Sequence, residues 1–312
     1  MTKTAFLFPG QGSQSIGMMA GLLEPFDQVG DTFRAASEVL GYDLWDICQK
    51  GPLERLNQTE VTQPAMLAAD IATWRAWKSI GGIDPDYLAG HSLGEYSALV
   101  ASGSLEFEDA VALVAERGRL MQAATAQGTG AMAAVIGLEV DELSRICAEA
   151  EQEQVVSCAN FNSPGQIVIA GDKAAVDRAC ELATGAGARR AIPLAVSVPA
   201  HCVLMQPASE RLAGDLASVP ISPGKIPLVH NVDARFHTEA GEIRDALIRQ
   251  IWQPVRWAAS VQVLISEGVT RFAECGPGKV LFGLNRRISR KVSTVALVSG
   301  ESLAEALDDF SK

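Results

Sequence analysis

Cysteine pairing and metal-ligand spacing are both missing from this sequence. Its six cysteines (Cys48, Cys147, Cys158, Cys180, Cys202, Cys275) form no C-x-x-C pair, and none stands at ligand spacing beside the four histidines. They read as reduced thiols in a cytoplasmic protein, and neither a metal site nor a cofactor is expected. Positive charge is scarce too: 26 Lys and Arg against 37 Asp and Glu give a net charge of −11, which argues against a nucleic-acid partner, since binding phosphates requires clustered cations. Long apolar runs are also lacking. Residues 5–8 are apolar, but Gly10-Gln11-Gly12-Ser13-Gln14-Ser15 breaks the run where a signal peptide would need continuity, and no other stretch resembles a membrane span. What remains is ordinary globular material: 312 residues, 48% apolar and 20% charged, able to bury a large core as one domain with an insertion or as two domains.

The order of patterns points to an α/β fold. Residues 4–8 read as a buried strand entering a glycine-rich loop, and residues 87–90 as a second strand. Helical patterns fill the interval, including 64–80, and residues 106–124 carry Ala110, Leu113, Val114, Leu120 and Met121 on one stripe. The rhythm then changes. A strand at 132–136, a helix at 140–150, strands at 155–161 and 167–170 around a Ser163-Pro164-Gly165 turn, a helix at 172–184 capped by Asp172 and an extended 191–198 follow a β-α-β-β-α-β order, the ferredoxin-like motif. We therefore expect an α/β core with a parallel sheet, formed by residues 1–126 and 199–312, and an inserted ferredoxin-like α+β subdomain at 127–198. The α/β pattern resumes with a strand at 226–229, a helix at 242–251 and a strand at 270–273.

Chemistry concentrates at Gly90-His91-Ser92-Leu93-Gly94, a G-x-S-x-G sequence between an expected strand and an expected helix at 95–101. Such an elbow lifts the serine hydroxyl clear and aims the next backbone N–H, that of Leu93, at a developing oxyanion. The plainer alternative is a glycine-flanked turn with a capping serine. A serine nucleophile needs a base. His91 points away from its neighbour, His237 lies in a polar turn, and both His201 and His230 follow strands; pattern alone puts His201 only modestly ahead of His230, and a hydrogen-bonded structural histidine is an equal reading of either. Arg117 falls in the middle of the apolar stripe and needs an anionic partner, which is an internal acid or a substrate carboxylate. The Pro9-Gly10-Gln11-Gly12 loop lacks the spacing of a phosphate or dinucleotide loop and reads as a second oxyanion donor or as a plain connection.

Phe8-Pro9-Gly10-Gln11-Gly12-Ser13-Gln14, Gly90-His91-Ser92-Leu93-Gly94-Glu95, Arg117, Ser197-Val198-Pro199-Ala200-His201, Asn231-Val232-Asp233 and Glu274-Cys275-Gly276-Pro277-Gly278-Lys279 together resemble the malonyl-CoA:acyl-carrier-protein transacylases of type II fatty acid synthesis, nearly end to end. The resemblance implies a hydrolase-like core with a ferredoxin-like insertion and a ping-pong transfer through a malonyl-Ser92 ester. It implies Ser92 as nucleophile, His201 as base, the N–H groups of Gln11 and Leu93 as the oxyanion hole, and Arg117 as receptor for the malonyl carboxylate. A backbone carbonyl at Gln250 would orient the histidine. The implied partners are malonyl-CoA, as substrate, and holo acyl carrier protein, and a monomer suffices.

The rivals are an acyltransferase loading polyketide synthase carrier domains, a serine esterase or thioesterase, and a non-catalytic carrier-binding module. Charge adds a further expectation, because CoA is anionic and carrier proteins of this kind are typically acidic. Residues 244–291 hold nine Arg or Lys against three acids, a local +6 that leaves −17 elsewhere. Arg286, Arg287, Arg290 and Lys291 are therefore expected to belong to a carrier-docking surface, against the alternative of a merely solvated helix face.

Overall fold

The computed structural model describes residues 3–126, 128–196 and 198–310. Gln127, at the expected start of the insertion, and Ser197, in the expected extended segment, lie outside the described residues. The strands are β1 (Lys3–Phe8), β2 (Tyr87–Gly90), β3 (Gly130–Ile136), β4 (Val156–Ser163), β5 (Gln166–Asp172), β6 (Arg190–Pro193), β7 (Leu228–His230), β8 (Arg235–Phe236), β9 (Val269–Cys275) and β10 (Ser293–Leu297).

Two sheets result. The larger runs β10-β9-β1-β2-β7-β8, parallel except for β8, and the smaller runs β4-β5-β3-β6, antiparallel throughout. The larger sheet is covered on both faces, which explains why β1 reads as a continuous apolar run rather than an alternation. Phe6 and Phe8 enter one core cluster with Trp77, while Ala5 and Leu7 enter another with Val229, Trp257 and Phe272. The smaller sheet packs the helices Val140–Glu151 and Lys173–Gly185 against one face, through Leu143, Ile146, Val176 and Ala179. Its other face, with Met132, Ala159, Val168 and Ala170, turns toward Cys202. Backbone bonds from Phe161 N–H to Val255 O and from Val255 N–H to Ala159 O, both 2.9 Å, tie β4 of the smaller sheet to the core segment around Val255.

Several expected elements shift. The helix expected to begin at Pro64 spans Thr59–Ser79, so Pro64 lies inside it; sixteen of its residues are buried, and that packing outweighs the one hydrogen bond the proline forfeits. Asp172 does sit at the N-cap position of Lys173–Gly185, but its carboxylate accepts from Val155 N–H at 2.8 Å and does not cap the helix. The extended 191–198 contracts to β6, which among the described residues pairs with β3 alone and ends at Pro193, with one further bond from Leu194 N–H to Met132 O at 2.9 Å. The strand expected at 226–229 is Leu228–His230, which makes Asn231 the first residue beyond it.

Candidate active site

Parallel pairing of β1 with β2 puts Phe8 opposite Gly90, so the loops leaving the two strands emerge side by side. The site sits at these carboxyl ends, where open α/β sheets leave a crevice. His91 N–H bonds Phe8 O at 2.9 Å and fastens the elbow to the neighbouring strand. The glycines make the crossing possible. A Cβ on Gly94 would stand 2.0 Å from Phe8 O, and one on Gly90 would stand 1.9 Å from the Gly94 backbone. Between them Ser92 takes φ = 51°, a left-handed conformation that only an over-determined turn imposes on a non-glycine residue.

Ser92 Oγ lies 2.8 Å from His201 Nε2, and His201 Nδ1 lies 2.7 Å from Gln250 O. A carbonyl can only accept, so Nδ1 carries the proton and Nε2 faces the serine as an acceptor. His201 itself adopts φ = 63°, and its N–H bonds Ile251 O at 3.0 Å, tying the residue to the end of the helix Ala240–Gln250. Burial, reinforced by the Arg117 cation, holds the imidazole down to about 3, so it is neutral at physiological pH.

Arg117 projects from the helix Phe107–Ala123 and is 1% exposed, while Arg119 on the outer side pairs with Glu116. Its hydrogen-bond partners are all neutral: Gln63 Oε1 at 2.7 Å, Gln250 Oε1 at 3.1 Å and Ser92 Oγ at 3.2 Å. Nε of Arg117 has no hydrogen-bond partner among the described residues, and the Tyr96 ring centroid lies 5.4 Å from its Cζ. The internal acid left open by the sequence is therefore not in direct contact, and a buried cation is presented beside the serine hydroxyl.

The four histidines separate cleanly. His230, the alternative base, lies 2.7 Å from Glu95 Oε1 and is fully buried away from Ser92. His91 turns to Asn162 Oδ1 at 2.8 Å, and His237 to Asp233 at 3.0 Å. Gln11 and Leu93 border the same cavity of about 190 Å³ as Ser92, His201 and Arg117, and no hydrogen bond among the described residues consumes either backbone N–H. Gln14 holds that loop, accepting from Gly12 N–H at 2.7 Å and donating to Asn57 at 2.9 Å.

Sequence reasoning gave no role to several residues that the structure brings here. Asn231 Oδ1 accepts from Ser92 N–H at 2.7 Å while its Nδ2 donates to Gly90 O at 2.6 Å, clamping both sides of the elbow. Glu95, fully buried, accepts from Asn231 N–H and from Gln250 Nε2, each at 2.9 Å. Gln63 falls just before the helix expected at 64–80 and was given no role; in the structure it lies inside Thr59–Ser79 and is 1% exposed. Gln250 was assigned a backbone role alone, yet its side chain contacts Arg117, Glu95 and, at 2.9 Å, Ser92 O. The four basic residues lie apart from the serine. Arg286 and Arg287 close the helix Val280–Ile288, and Arg290 and Lys291 follow it, so only the first two occupy a helix; all four are exposed. The other end of that helix supplies Val280, Leu281 and Leu284 to the cavity wall, and Arg287 donates to Gln166, another wall residue.

Among the described residues no helix is long and apolar enough to cross a membrane. Residues 5–298 match the family model for the acyl transferase domain. The malonyl CoA-acyl carrier protein transacylase of Salmonella typhimurium is 52% identical over 98% of this chain and 99% of its own length, and that of Bacillus subtilis 46% identical over 98% and 97%. Among solved structures, the malonyl CoA-acyl carrier protein transacylase of Coxiella burnetii superposes with a TM-score of 0.97 at 49% identity, covering 98% of this chain and 97% of that one. A malonyl-transacylase solved in complex with its type II PKS acyl-carrier protein gives 0.98 at 51% identity, covering 99% and 100%.

Proposed function

The chain belongs to the malonyl CoA-acyl carrier protein transacylase family of acyl transferases, and from that membership we propose how its site moves malonyl from CoA to a carrier-protein thiol. His201 Nε2 takes the Ser92 hydroxyl proton as Oγ attacks the thioester carbonyl. The negative charge that develops on the carbonyl oxygen is received by the N–H groups of Gln11 and Leu93, and losing one such donor costs about 10²–10³ in turnover. Collapse breaks the carbon–sulfur bond, the His201 proton passes to the departing CoA sulfur, and a malonyl-Ser92 ester remains. The carrier's phosphopantetheine thiol then gives its proton to His201 and attacks the ester, and the proton returns to Ser92 Oγ.

One observation carries the malonyl assignment: a buried guanidinium, bonded only to neutral groups, 3.2 Å from the nucleophile. The ester of a dicarboxylic acyl group extends its free carboxylate toward that cation, where the planar fork of Arg117 donates to it. Acetyl leaves the charge without a counter-ion, a cost borne by the wrong substrate. Arg117→Ala is accordingly expected to lower malonyl loading about 100-fold, the scale of truncating one partner of a buried charge pair, while changing acetyl loading far less. Equal losses for both acyl groups would assign Arg117 a structural role.

Loading of a polyketide carrier is a second reading, favoured by the similarity to the malonyl-transacylase solved with its type II PKS carrier. Transfer rates from the loaded enzyme to a fatty-acid carrier and to a polyketide carrier separate the two, the faster acceptor identifying the partner. In either case the exposed cations at the end of the helix Val280–Ile288 suit an anionic partner approaching the cavity mouth.

A further inference from the structure

Two opposite charges are buried in this site without touching. Arg117 is 1% exposed and Glu95 is fully buried, and the side-chain amide of Gln250 stands between them. Gln250 Oε1 accepts from Arg117 Nη2 at 3.1 Å, and Gln250 Nε2 donates to Glu95 Oε2 at 2.9 Å. The remaining capacity of Glu95 is filled by Asn231 N–H at 2.9 Å and by His230 Nδ1 at 2.7 Å. His230 Nδ1 faces the carboxylate, and Nε2 has no partner among the described residues, so the ring's one contact in this network is with Glu95. A backbone N–H and an amide NH2, both donors, converge with the His230 ring nitrogen on Glu95, an arrangement that suits a carboxylate acceptor. A guanidinium and a carboxylate brought together out of water settle into a direct forked pair, which would use up the donors of Arg117. An amide accepts at one end and donates at the other, so it satisfies both charges and occupies only one of the guanidinium's hydrogens on this side.

We propose that the Gln250 side chain is a specificity-determining spacer: it couples the buried Glu95 carboxylate to Arg117 as a remote counter-charge and prevents the direct ion pair that would close the guanidinium to an acyl carboxylate. The inference rests on the reading of Arg117 as carboxylate receptor. Glu95 and the Gln250 amide act through Arg117 and are positioning residues. The bond from His201 to the Gln250 carbonyl belongs to the backbone and survives side-chain replacement.

Acylation of Ser92 from malonyl-CoA and from acetyl-CoA is measured for the unmodified enzyme, Gln250→Glu, the double variant Glu95→Gln/Gln250→Glu, and Gln250→Met, with melting curves to establish folding. Both carboxylate variants set an acid directly against Arg117, and the double variant does so with a single carboxylate in the site, so no like-charged neighbour keeps it protonated. The malonyl-to-acetyl ratio of kcat/KM is expected to fall about tenfold or more in both, mainly through a raised KM for malonyl-CoA, and to fall much less in Gln250→Met. An unchanged ratio in the double variant overturns the proposal, as does a fall in Gln250→Met equal to that of the carboxylate variants. If the double variant does not fold, the ratio in Gln250→Glu decides in the same way. An unmodified enzyme that prefers neither acyl group would instead refute the carboxylate-receptor reading beneath it.

Discussion

The residues at the reaction centre are poised by geometry and by charge. Ser92 and His201 both hold positive φ, at 51° and 63°, so the serine hydroxyl and the imidazole face each other only because the turns on either side are pinned. The imidazole is lowered to about 3 by burial and then by the Arg117 cation. The sign follows directly. A base whose folded value is depressed stays unprotonated below the ordinary histidine value of about 6.5, so kcat/KM for acylation is expected to show no acid limb there and to decline only at distinctly lower pH. A pH–rate profile with its limb at about 6.5 would contradict this electrostatic picture. Stability carries the same sign: the contribution from the neutral ring is present above about 6.5 and is lost as pH falls from there toward the folded value of about 3.

The elements carrying these residues differ in how far the sequence disclosed them. β1, β2, the elbow and the helix Phe107–Ala123 were legible because each has one strong local signal, an apolar run, a glycine pair or an amphipathic stripe. The β-α-β-β-α-β succession of elements was legible in the same way, and the structure arranges its strands as β6-β3-β5-β4. Non-local facts stayed hidden. Nothing near Asn231 in the chain announces that it clamps Ser92, 139 positions away, and nothing near Gln250 announces a side chain shared by Arg117 and Glu95. Pattern alone put His201 only modestly ahead of His230 as strand-following histidines, and the fold separates them by giving His230 to Glu95. The elbow yields a test at this scale. Gly94→Ala places a Cβ 2.0 Å from Phe8 O, a backbone atom of a central strand that cannot yield, so the denaturation midpoint is expected to drop by the equivalent of about 1–3 kcal/mol or more. A variant as stable as the parent would mean that the elbow and β1 are not packed as described.

Across the whole molecule, charge is distributed to suit the traffic of anions. The chain carries −11, yet Arg286, Arg287, Arg290 and Lys291 stand exposed at the far end of a helix whose near end lines the catalytic cavity. In the proposed docking role, this cluster offers CoA phosphates and an acidic carrier a cationic place to approach on a chain of net charge −11. Neutralising all four is expected to raise the carrier KM several-fold at low salt and to flatten its dependence on ionic strength, with little effect on malonylation by saturating malonyl-CoA. A carrier KM that does not move would remove these residues from the docking surface.

The central claim is a covalent malonyl relay through Ser92, and intact-protein mass spectrometry tests it most directly. Incubation with malonyl-CoA should add one malonyl group to the parent and none to Ser92→Ala, and added holo carrier protein should then discharge the enzyme and acquire the same mass. Malonyl persisting on Ser92→Ala, or a loaded enzyme that releases free malonate to water and leaves the carrier unchanged, would contradict the account.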